Sequence, residues 1–335
     1  MENLFLKWIG ILKGDMKMKK IIVGLLAGVM ALTLGVGCQQ QSKETTKVLK
    51  VAALNGPTGM GMVKLLEDQD KYEITLYQSP NEIVGKVVSG EVDLACVPSN
   101  MGAVLYNKTQ KAISMVGINT QGVLYLLENG SSVNGLDDLK GKTIVASGKG
   151  GTPEYVLTQL LQSAGLEVGQ DVQVEYLANH TDVMTKLVAQ EGTIALLPEP
   201  HVTIAMAKES QIHIAVDLNQ AWQETQNSPL PMGIIIAQKR LIKEDEQALT
   251  SFLKDYEASV KFVNEKSEDA AALMVSYGII GKKEIALKAI PNCHIVLERG
   301  EAAKTQLEGL YKVLEALNPK AIGGTLPDEA FYYNK

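Results

Sequence analysis

The sequence predicts an α/β fold of two lobes, each a sheet flanked by helices, with a ligand cleft between the lobes. The first observation is a strand that ends in small and polar residues where a helix begins, a pattern found three times between residues 47 and 106. The second is a fresh series of such units over residues 143–207. The third is length, because the 288 residues from Val48 to Lys335 exceed the size at which single hydrophobic cores stop growing.

The N-terminal segment has the pattern of a secretory signal peptide. A lysine cluster precedes an apolar run from Ile21 to Leu34, and two glycines stand just before Cys38. The lysines and glycines are Lys17, Lys19, Lys20, Gly35 and Gly37. A basic region, an apolar region and small residues at the cleavage site predict that residues 1–37 are removed on export. Met16 or Met18 fits the start of such a peptide better than Met1, which leaves residues 1–15 as an upstream extension.

Cys38 has the position of the lipidated first residue in bacterial lipoproteins, which this arrangement resembles. We therefore expect a lipid anchor on the outer face of the cell membrane, although such signals usually carry Leu where this chain has Gly35. Cleavage after Gly37 without lipidation stays open. An uncleaved anchor is disfavoured, because residues 21–37 fall short of the roughly 20 apolar residues of a membrane helix. Residues 38–47 are polar and predict a flexible tether to the folded domain.

The mature chain is acidic. Removal of residues 1–37 leaves 27 Lys and Arg against 36 Asp and Glu, a net charge of about −9 with neutral histidines. This charge argues against nucleic acid or an anionic membrane surface as a partner. The two arginines are Arg240 and Arg299, so bidentate guanidinium groups play little part in recognising an anion.

Cys96 and Cys293 are the cysteines beyond Cys38. Cys96 lies in an apolar strand pattern, where a cysteine is most often a small buried hydrophobic residue. Two free cysteines are favoured, and a disulfide between them stays open because an exported protein permits one. Neither cysteine has the spacing of a metal ligand, so no metal and no cofactor is expected.

The first three units place polar residues at one edge of the first predicted sheet. Strands over residues 47–53, 73–77 and 92–97 each end in a turn before a helix. Ligands of open α/β sheets bind beyond the carboxyl ends of the strands, so we expect the turn residues to contact a small ligand. They are Asn55, Gly56, Thr58, Gly59, Ser79, Asn81, Ser99 and Asn100. The alternative for each is a role as a turn or cap residue.

The second series of units contributes a glycine-rich turn. A strand over residues 143–146 leads through this turn into a helix over residues 152–164. We expect Gly150, Gly151 and Thr152 to hold an anionic or polar group, because glycines let a ligand approach the backbone and a helix N-terminus offers free N–H groups. The spacing is not that of a nucleotide P-loop, and the alternative is a plain glycine turn at a helix start.

Glu199 and three other side chains are further candidates for the cleft. Glu199 stands between two prolines, where its carboxylate would accept a hydrogen bond from a ligand amine or cap the helix that begins at His201. The cap is favoured, because a carboxylate near a helix N-terminus is stabilised there. His201 is interpreted as a helix-start residue rather than a catalytic base. Tyr125 and Trp222 are interpreted as packing residues rather than as a stacking surface for a flat ligand.

Long helical segments without intervening strands follow the second series. They cover residues 245–264, 267–277, 282–289 and 301–317, with apolar residues at helical spacing. These helices are expected to pack back on the first lobe, so that the chain crosses between lobes twice. Lobe 1 is then residues 48–135 and 238–335, and lobe 2 is residues 136–237.

Three motifs give the chain a resemblance to a known family. They are residues 135–144 (GLDDLKGKTI), the turn 148–153 with Glu154 and Tyr155 opening a helix, and residues 195–200 (ALLPEP). In this order the chain resembles, over roughly residues 48–317, the solute-binding lipoproteins of ABC transporters that take up nitrate, alkanesulfonates, taurine and thiamine-pyrimidine precursors. The resemblance implies a type II periplasmic-binding-protein-like fold with a cleft that closes by a hinge. It also implies a monomer whose partners are the permease and ATPase subunits.

The resemblance implies a binding protein for a sulfonate, a nitrate-like anion or a pyrimidine-type heterocycle. An enzyme of the same fold, of the pyrimidine-precursor or menaquinone-pathway type, is the alternative. It would need a nucleophile, a general base or a redox centre in the cleft, and no such set of residues stands out, so no catalytic residue is expected. A ligand sensor at a membrane kinase shares every binding feature and stays open as a third interpretation.

Overall fold

Two β-sheets carry the fold in the computed structural model, which describes residues 47–334. The predicted signal peptide, Cys38 and residues 39–46 of the predicted tether lie outside the described residues. The first sheet has six strands in the order β11-β4-β10-β3-β1-β2, and the second has five in the order β7-β6-β8-β5-β9. The strands are β1 (Leu49–Leu54), β2 (Tyr72–Tyr77), β3 (Leu94–Pro98), β4 (Ile113–Gln121), β5 (Leu124–Asn129), β6 (Thr143–Ala146), β7 (Gln173–Tyr176), β8 (Ile194–Pro198), β9 (Ile212–Asp217), β10 (Pro231–Gln238) and β11 (Ile295–Glu298).

Helices flank both sheets, which confirms the predicted fold class. The helices are α1 (Pro57–Met60), α2 (Pro80–Val88), α3 (Ser99–Lys108), α4 (Thr152–Ser163), α5 (His180–Ala189), α6 (His201–Lys208), α7 (Leu218–Gln226), α8 (Lys239–Glu244), α9 (Glu246–Glu265), α10 (Ser267–Ser276), α11 (Lys283–Ala289) and α12 (Gly300–Leu317). Short 3-10 turns cover Leu65–Glu67, Leu136–Leu139, Ile290–Asn292, Pro319–Ile322 and Glu329–Phe331. Between residues 47 and 334, no helix combines the length and the apolar character needed to cross a membrane.

Each sheet contains three parallel strands from the predicted strand-turn-helix units. β1 pairs in parallel with β2 and β3, with Val51 opposite Leu94. β6 pairs in parallel with β7 and β8, with Ile144 opposite Ile194. The carboxyl ends of the three strands therefore share one edge in each sheet, which is the edge where α/β sheets bind ligands.

Two strands pair with the sheet opposite to that implied by the predicted lobe limits. β5, inside predicted lobe 1, pairs with β8 and β9 of the second sheet, and β10, almost wholly inside predicted lobe 2, pairs with β3 and β4 of the first. Both strands contain a continuous apolar run, residues 124–127 in β5 and 234–237 in β10, and such a run does not indicate which sheet the strand joins. We therefore propose lobe limits at residues 122–123 and 227–230, where the chain passes from one sheet to the other.

The helices after β10 pack against the first sheet. On α9, Phe252 and Tyr256 share a hydrophobic core with Val51 of β1 and Cys96 of β3. These apolar side chains recur at helical spacing and form one buried face of the helix. The sheet is thus covered by residues distant in sequence from its parallel strands.

Cys96 and Cys293 are both buried and free, as the sequence favours. The Cys293 sulfur lies 3.8 Å from the Met60 sulfur in an apolar core. Burial raises the pKa of both thiols, so neither is a reactive thiolate at neutral pH. The two cysteines act as small hydrophobic side chains.

Candidate functional site

A cavity of about 250 Å³ lies between the two sheets, at the strand ends that share an edge in each. Prolines and aliphatic side chains dominate its wall, with a few polar groups among them. The lining residues are Leu54, Asn55, Gly56, Pro57, Thr58, Gln78, Pro80, Pro98, Thr120, Val123, Leu124, Thr152, Pro153, His180, Pro198, Glu199, Pro200, His201, Met232 and Gly233. An apolar cavity with a few polar groups is the usual form of a small-molecule site.

Five of the twelve residues expected at the ligand line this cavity. They are Asn55, Gly56, Thr58, Thr152 and Glu199. The seven that do not line it are Gly59, Ser79, Asn81, Ser99, Asn100, Gly150 and Gly151. The strand-end rule thus locates the cavity, while many of the polar turn residues around it have other hydrogen-bond partners.

Ser99 and Asn100, which do not line the cavity, hydrogen-bond through their side chains to backbone carbonyl groups. The Ser99 hydroxyl donates to the Pro231 carbonyl at 2.8 Å, and the Asn100 amide donates to the Ala321 carbonyl at 3.3 Å. The side-chain oxygen Oδ1 of Asn100 accepts a hydrogen bond from the Thr152 hydroxyl at 3.1 Å. Asn100 follows β3 of the first sheet and Thr152 follows β6 of the second sheet, so this hydrogen bond joins the two sides of the cavity.

Ser79 and Asn81 belong to the start of α2. The Ser79 hydroxyl accepts from the Asn81 N–H at 3.3 Å, and the Glu82 carboxylate accepts from the N–H groups of Gln78 and Ser79 at 3.1 and 3.2 Å. This is a capping box, so the two residues serve the helix rather than the cavity. Gly59 packs closely against the backbone at the end of β1, because an added Cβ would lie 2.8 Å from the Leu54 carbonyl oxygen.

The glycine turn before α4 satisfies its own N–H groups. The Gly151 N–H donates to the Gly148 carbonyl at 2.9 Å, and the Gly150 N–H donates to the Glu154 carboxylate. Of the predicted cradle, Thr152 reaches the cavity together with Pro153. The N–H groups of both glycines are therefore already used, which matches the plainer alternative of a glycine turn at a helix start.

Glu199 is a buried carboxylate in the cavity wall, with 1% of its surface exposed. Its oxygens accept from the Thr203 N–H at 3.2 Å, from the Thr203 hydroxyl at 2.9 Å and from the Asn292 amide at 3.4 Å. The bond from the Thr203 N–H caps α6, as the sequence favours. Burial raises the pKa of Glu199 above its ordinary value, against the effect of these hydrogen bonds.

Two histidines of the cavity wall, His180 and His201, are not among the ligand contacts expected from the sequence. The ring centroids of His180 and His201 lie 5.3 Å apart, and His180 Nδ1 shares a hydrogen bond of 2.6 Å with the Ser147 hydroxyl. Burial lowers the pKa of both histidines, and the neighbouring His201 helps to bring that of His180 to about 4. Both rings are therefore neutral at pH 7. His180 follows the end of β7, so the strand-end rule applied to this second strand of the second series would have found it.

Tyr125 and Trp222 lie outside the cavity wall. Trp222 is fully buried on α7, in the core beneath the second sheet. The Tyr125 hydroxyl donates to the Asn292 carbonyl at 3.3 Å, which again links the two sides. Both side chains have the packing role that the sequence favours.

Replacement of His180 by asparagine is expected to flatten the acid side of the stability profile. Because the folded pKa of His180 is lowered to about 4, the unfolded chain binds a proton that the folded chain does not as the pH falls from about 6.5. The stabilisation is full above the unfolded pKa and is lost on acidification, by an amount on the order of 2 kcal/mol. Urea unfolding from pH 7.5 to 4.5 measures this difference. H213N, on β9 outside the cavity, is the control, and parallel profiles for wild type and H180N would contradict the assignment.

The described part of the chain, residues 47–334, contains no group of three His, Cys, Asp or Glu side chains arranged to hold a metal ion. The nearest approach to such a group in the cavity is the pair His180 and His201 with the carboxylate of Glu199. His180 Nδ1 is already engaged by Ser147, and Glu199 by Thr203. The polar groups of the wall are thus arranged for hydrogen bonding.

A family model described as ABC transporter, phosphonate, periplasmic substrate-binding protein matches residues 63–288. The match covers two thirds of the chain and includes strands of both sheets. No curated protein matches the chain. The family match agrees with the resemblance that the three sequence motifs give.

Solved structures of ABC-transporter proteins share the fold. An ABC transporter protein from Parabacteroides distasonis is 25% identical with a TM-score of 0.75, over 86% of this chain and 99% of that one. The periplasmic aliphatic sulphonate binding protein SsuA from Escherichia coli is 17% identical with a TM-score of 0.68, over 86% and 92%. A ligand binding component of an ABC-type import system from Staphylococcus aureus, solved with zinc bound, is 12% identical with a TM-score of 0.68, over 86% and 96%.

Proposed function

Since this chain belongs to the family of phosphonate-type periplasmic substrate-binding proteins of ABC transporters, we propose that it captures one small solute in the cavity between its sheets and delivers it to a permease. Members of this family bind solutes outside the cytoplasm and are not enzymes. The sequence leaves sulfonates, nitrate-like anions and pyrimidine-type heterocycles as solutes, and the family description adds phosphonates. The observation that carries the proposal is a cavity walled by the strand ends of both sheets.

Closure of the two sides around the solute is the proposed signal to the permease. Two hydrogen bonds join the two sides of the cavity. The Thr152 hydroxyl donates to the Asn100 side chain, and the Asn318 amide donates to the Tyr155 hydroxyl at 2.9 Å. Contacts of this kind are made in the closed arrangement and are lost if the sides part. A solute held by both sides shifts the equilibrium towards closure by its differential affinity for the two arrangements.

The cavity residues Asn55, Thr58, Thr152 and Glu199, together with Gly56, are the proposed ligand contacts from the sequence. We propose His180, His201, Thr120 and Gln78, the other polar side chains of the same wall, as further contacts. The remaining residues expected from the sequence have partners within the protein and are proposed to support the wall.

A solute that binds is expected to raise the free energy of unfolding by about 2.7 kcal/mol when present at 100 times its dissociation constant. Thermal unfolding of the purified chain with taurine, alkanesulfonates, alkylphosphonates, nitrate, aminopyrimidines, amino acids and polyamines tests this expectation. A shift that follows the concentration of one solute supports the proposal. Unchanged unfolding with every compound, or chemical conversion of the bound solute, would contradict it.

We also propose that Cys38 carries a lipid that holds the mature chain, as a monomer, at the outer face of the cell membrane. Replacement of Cys38 by serine is expected to move the protein from the membrane fraction to the soluble extracytoplasmic fraction and to abolish incorporation of labelled fatty acid. Cys96→Ser is the matched control, because Cys96 is buried and free. Equal labelling of wild type and C38S would sink this proposal.

A further inference from the structure

Three helix starts at the cavity wall contain or directly follow a proline. A helix N-terminus binds anions through free N–H groups of its first turn. α2 and α4 carry Pro80 and Pro153 in that turn, and each proline lacks an N–H group. α6 follows Pro200 directly. These prolines also lie in the cavity wall, so they present ring carbons to the ligand where donors would otherwise stand.

Carboxylates of the chain itself accept from N–H groups at each of these helix starts. Glu82 accepts from two N–H groups before α2, Glu154 accepts from the Gly150 N–H before α4, and Glu199 accepts from the Thr203 N–H in α6. A negative charge in the first turn offsets the partial positive charge of the helix end. A phosphonate or other dianion in the cavity would meet the Glu199 carboxylate directly, and the charges of Glu82 and Glu154 lie at two of the neighbouring helix starts.

The cavity wall also lacks a cationic side chain. Of the residues that line it, none is Lys or Arg, and both of its histidines are neutral at pH 7 because their pKa values are lowered. Glu199 is the acidic side chain of the wall, and among residues 47–334 no Lys or Arg lies within 4 Å of its oxygens. A buried carboxylate without a cation is costly, and a bound cation or N–H donor relieves that cost.

Three further polar atoms of the wall have no partner. Asn55 Oδ1, Thr120 Oγ1 and His201 Nδ1 are buried without a hydrogen bond. The Asn55 amide nitrogen donates to the Gly278 carbonyl at 3.4 Å, which leaves its oxygen, an acceptor, for a ligand. Thr120 is 2% exposed, so a ligand is the group that can satisfy its hydroxyl.

We propose that the ligand is a small molecule with N–H donors and no negative charge, an amine, an amidine or an amino-substituted heterocycle, whose N–H group binds the Glu199 carboxylate. The same arrangement discriminates against phosphonates and sulfonates. This inference rests on the proposed function as a solute receptor and specifies the chemistry of the cavity. Asn55 Oδ1 is the second acceptor for such a ligand, and the prolines of the wall pack on its apolar surface.

Two matched sets of compounds test the charge preference in the full-length chain purified in mild detergent. The first set is acetamidine, acetate and methylphosphonate, and the second is benzamidine, benzamide, benzoate and phenylphosphonate. Isothermal titration at pH 7.5 is expected to rank each amidine at least tenfold tighter than the carboxylate and phosphonate of its set. This ranking needs no variant, so it holds even if a substitution at Glu199 impairs folding.

Replacement E199Q keeps the shape of the side chain and removes its charge. It is expected to weaken benzamidine at least tenfold and to change neutral benzamide less than threefold. E191Q is the matched control, since Glu191 is exposed before β8, at the strand end opposite the cavity, and it is expected to leave both affinities unchanged.

The outcomes separate the two proposals. Tighter binding of a phosphonate or carboxylate than of its amidine overturns the charge preference and leaves the receptor function standing. If neither set binds, the solutes that stabilise the chain in the thermal screen test the charge preference instead. Stabilisation by an anion in that screen would overturn the proposed preference for a ligand without negative charge. Binding by no compound in either experiment overturns the receptor function itself.

Discussion

Trp222→Ala is expected to lower the free energy of unfolding by about 3–5 kcal/mol, because it empties a large, fully buried site. Trp222 lies on α7 and shares a hydrophobic core with Leu126 of β5 and Leu160 of α4. The cavity left by an indole side chain cannot be refilled by the surrounding strand and helices without strain. Urea unfolding followed by far-ultraviolet circular dichroism measures the loss.

Trp222→Phe is the control for this substitution. Phenylalanine keeps an aromatic ring in the core, so a smaller loss of stability is expected than for alanine. Solute affinity of the folded fraction is expected to be unchanged in both variants, because Trp222 does not line the cavity. Loss of solute binding with unchanged stability would instead support the stacking interpretation that the sequence leaves as the less favoured alternative.

The helix α7 shows the limit of predicting secondary structure from apolar periodicity. α7 has an apolar stripe of only three residues, Leu218, Ala221 and Trp222, in a nine-residue helix of otherwise polar side chains, so it is easily missed in the sequence. β11 is four residues long and too short to show an alternating pattern. The parallel units, by contrast, are predicted within a few residues, because each combines a strand, a turn of small residues and a helix start.

Sheet membership depends on pairing between distant segments, which the sequence pattern does not contain. β10 enters the first sheet between β3 and β4, more than 100 residues away along the chain. For the same reason Thr120, at the end of β4, reaches the cavity wall without a local motif to mark it. The sequence locates the ligand edge, and the long-range pairing decides which residues close it.

Local hydrogen bonds account for several of the expected site residues that do not line the cavity. Glu154 stands four residues after Gly150, and Glu82 three residues after Ser79, which are the spacings at which a carboxylate satisfies a helix start. Reading Glu154 as the partner of the glycine turn would have weakened the expectation of an anion there, and reading Glu82 as the partner of Ser79 would have marked that turn as a helix cap. The carboxylates near a glycine turn are therefore as informative as the glycines.

Asp93→Ala is expected to lower the free energy of unfolding by about 3 kcal/mol, because it removes the centre of a buried network. The Asp93 carboxylate, 2% exposed, accepts from Lys47 Nζ at 2.9 Å and the Lys50 N–H at 3.1 Å, and pairs with Arg240 Nη2 at 2.8 Å. It thereby ties the starts of β1 and β3 to α8. Lys47→Ala, which removes a half-exposed partner, is the control and is expected to cost about 1 kcal/mol or less.

The pH dependence of the Asp93→Ala deficit identifies its electrostatic part. Burial raises the pKa of Asp93, but the hydrogen bonds from Lys47 and the Lys50 N–H, with the charges of Lys47 and Arg240, outweigh it and hold the pKa below its ordinary value. A lowered carboxyl pKa stabilises the fold fully above the unfolded value of about 3.9 and loses that effect as the pH falls through the folded pKa. The deficit of Asp93→Ala, measured by urea unfolding, is therefore expected to be constant from pH 7 to 5 and to shrink below about pH 4.

A deficit that stays constant down to pH 3 would mean that packing, rather than charge, makes Asp93 important. Solute binding at the opposite strand ends is expected to be the same in both proteins, because Asp93 does not line the cavity.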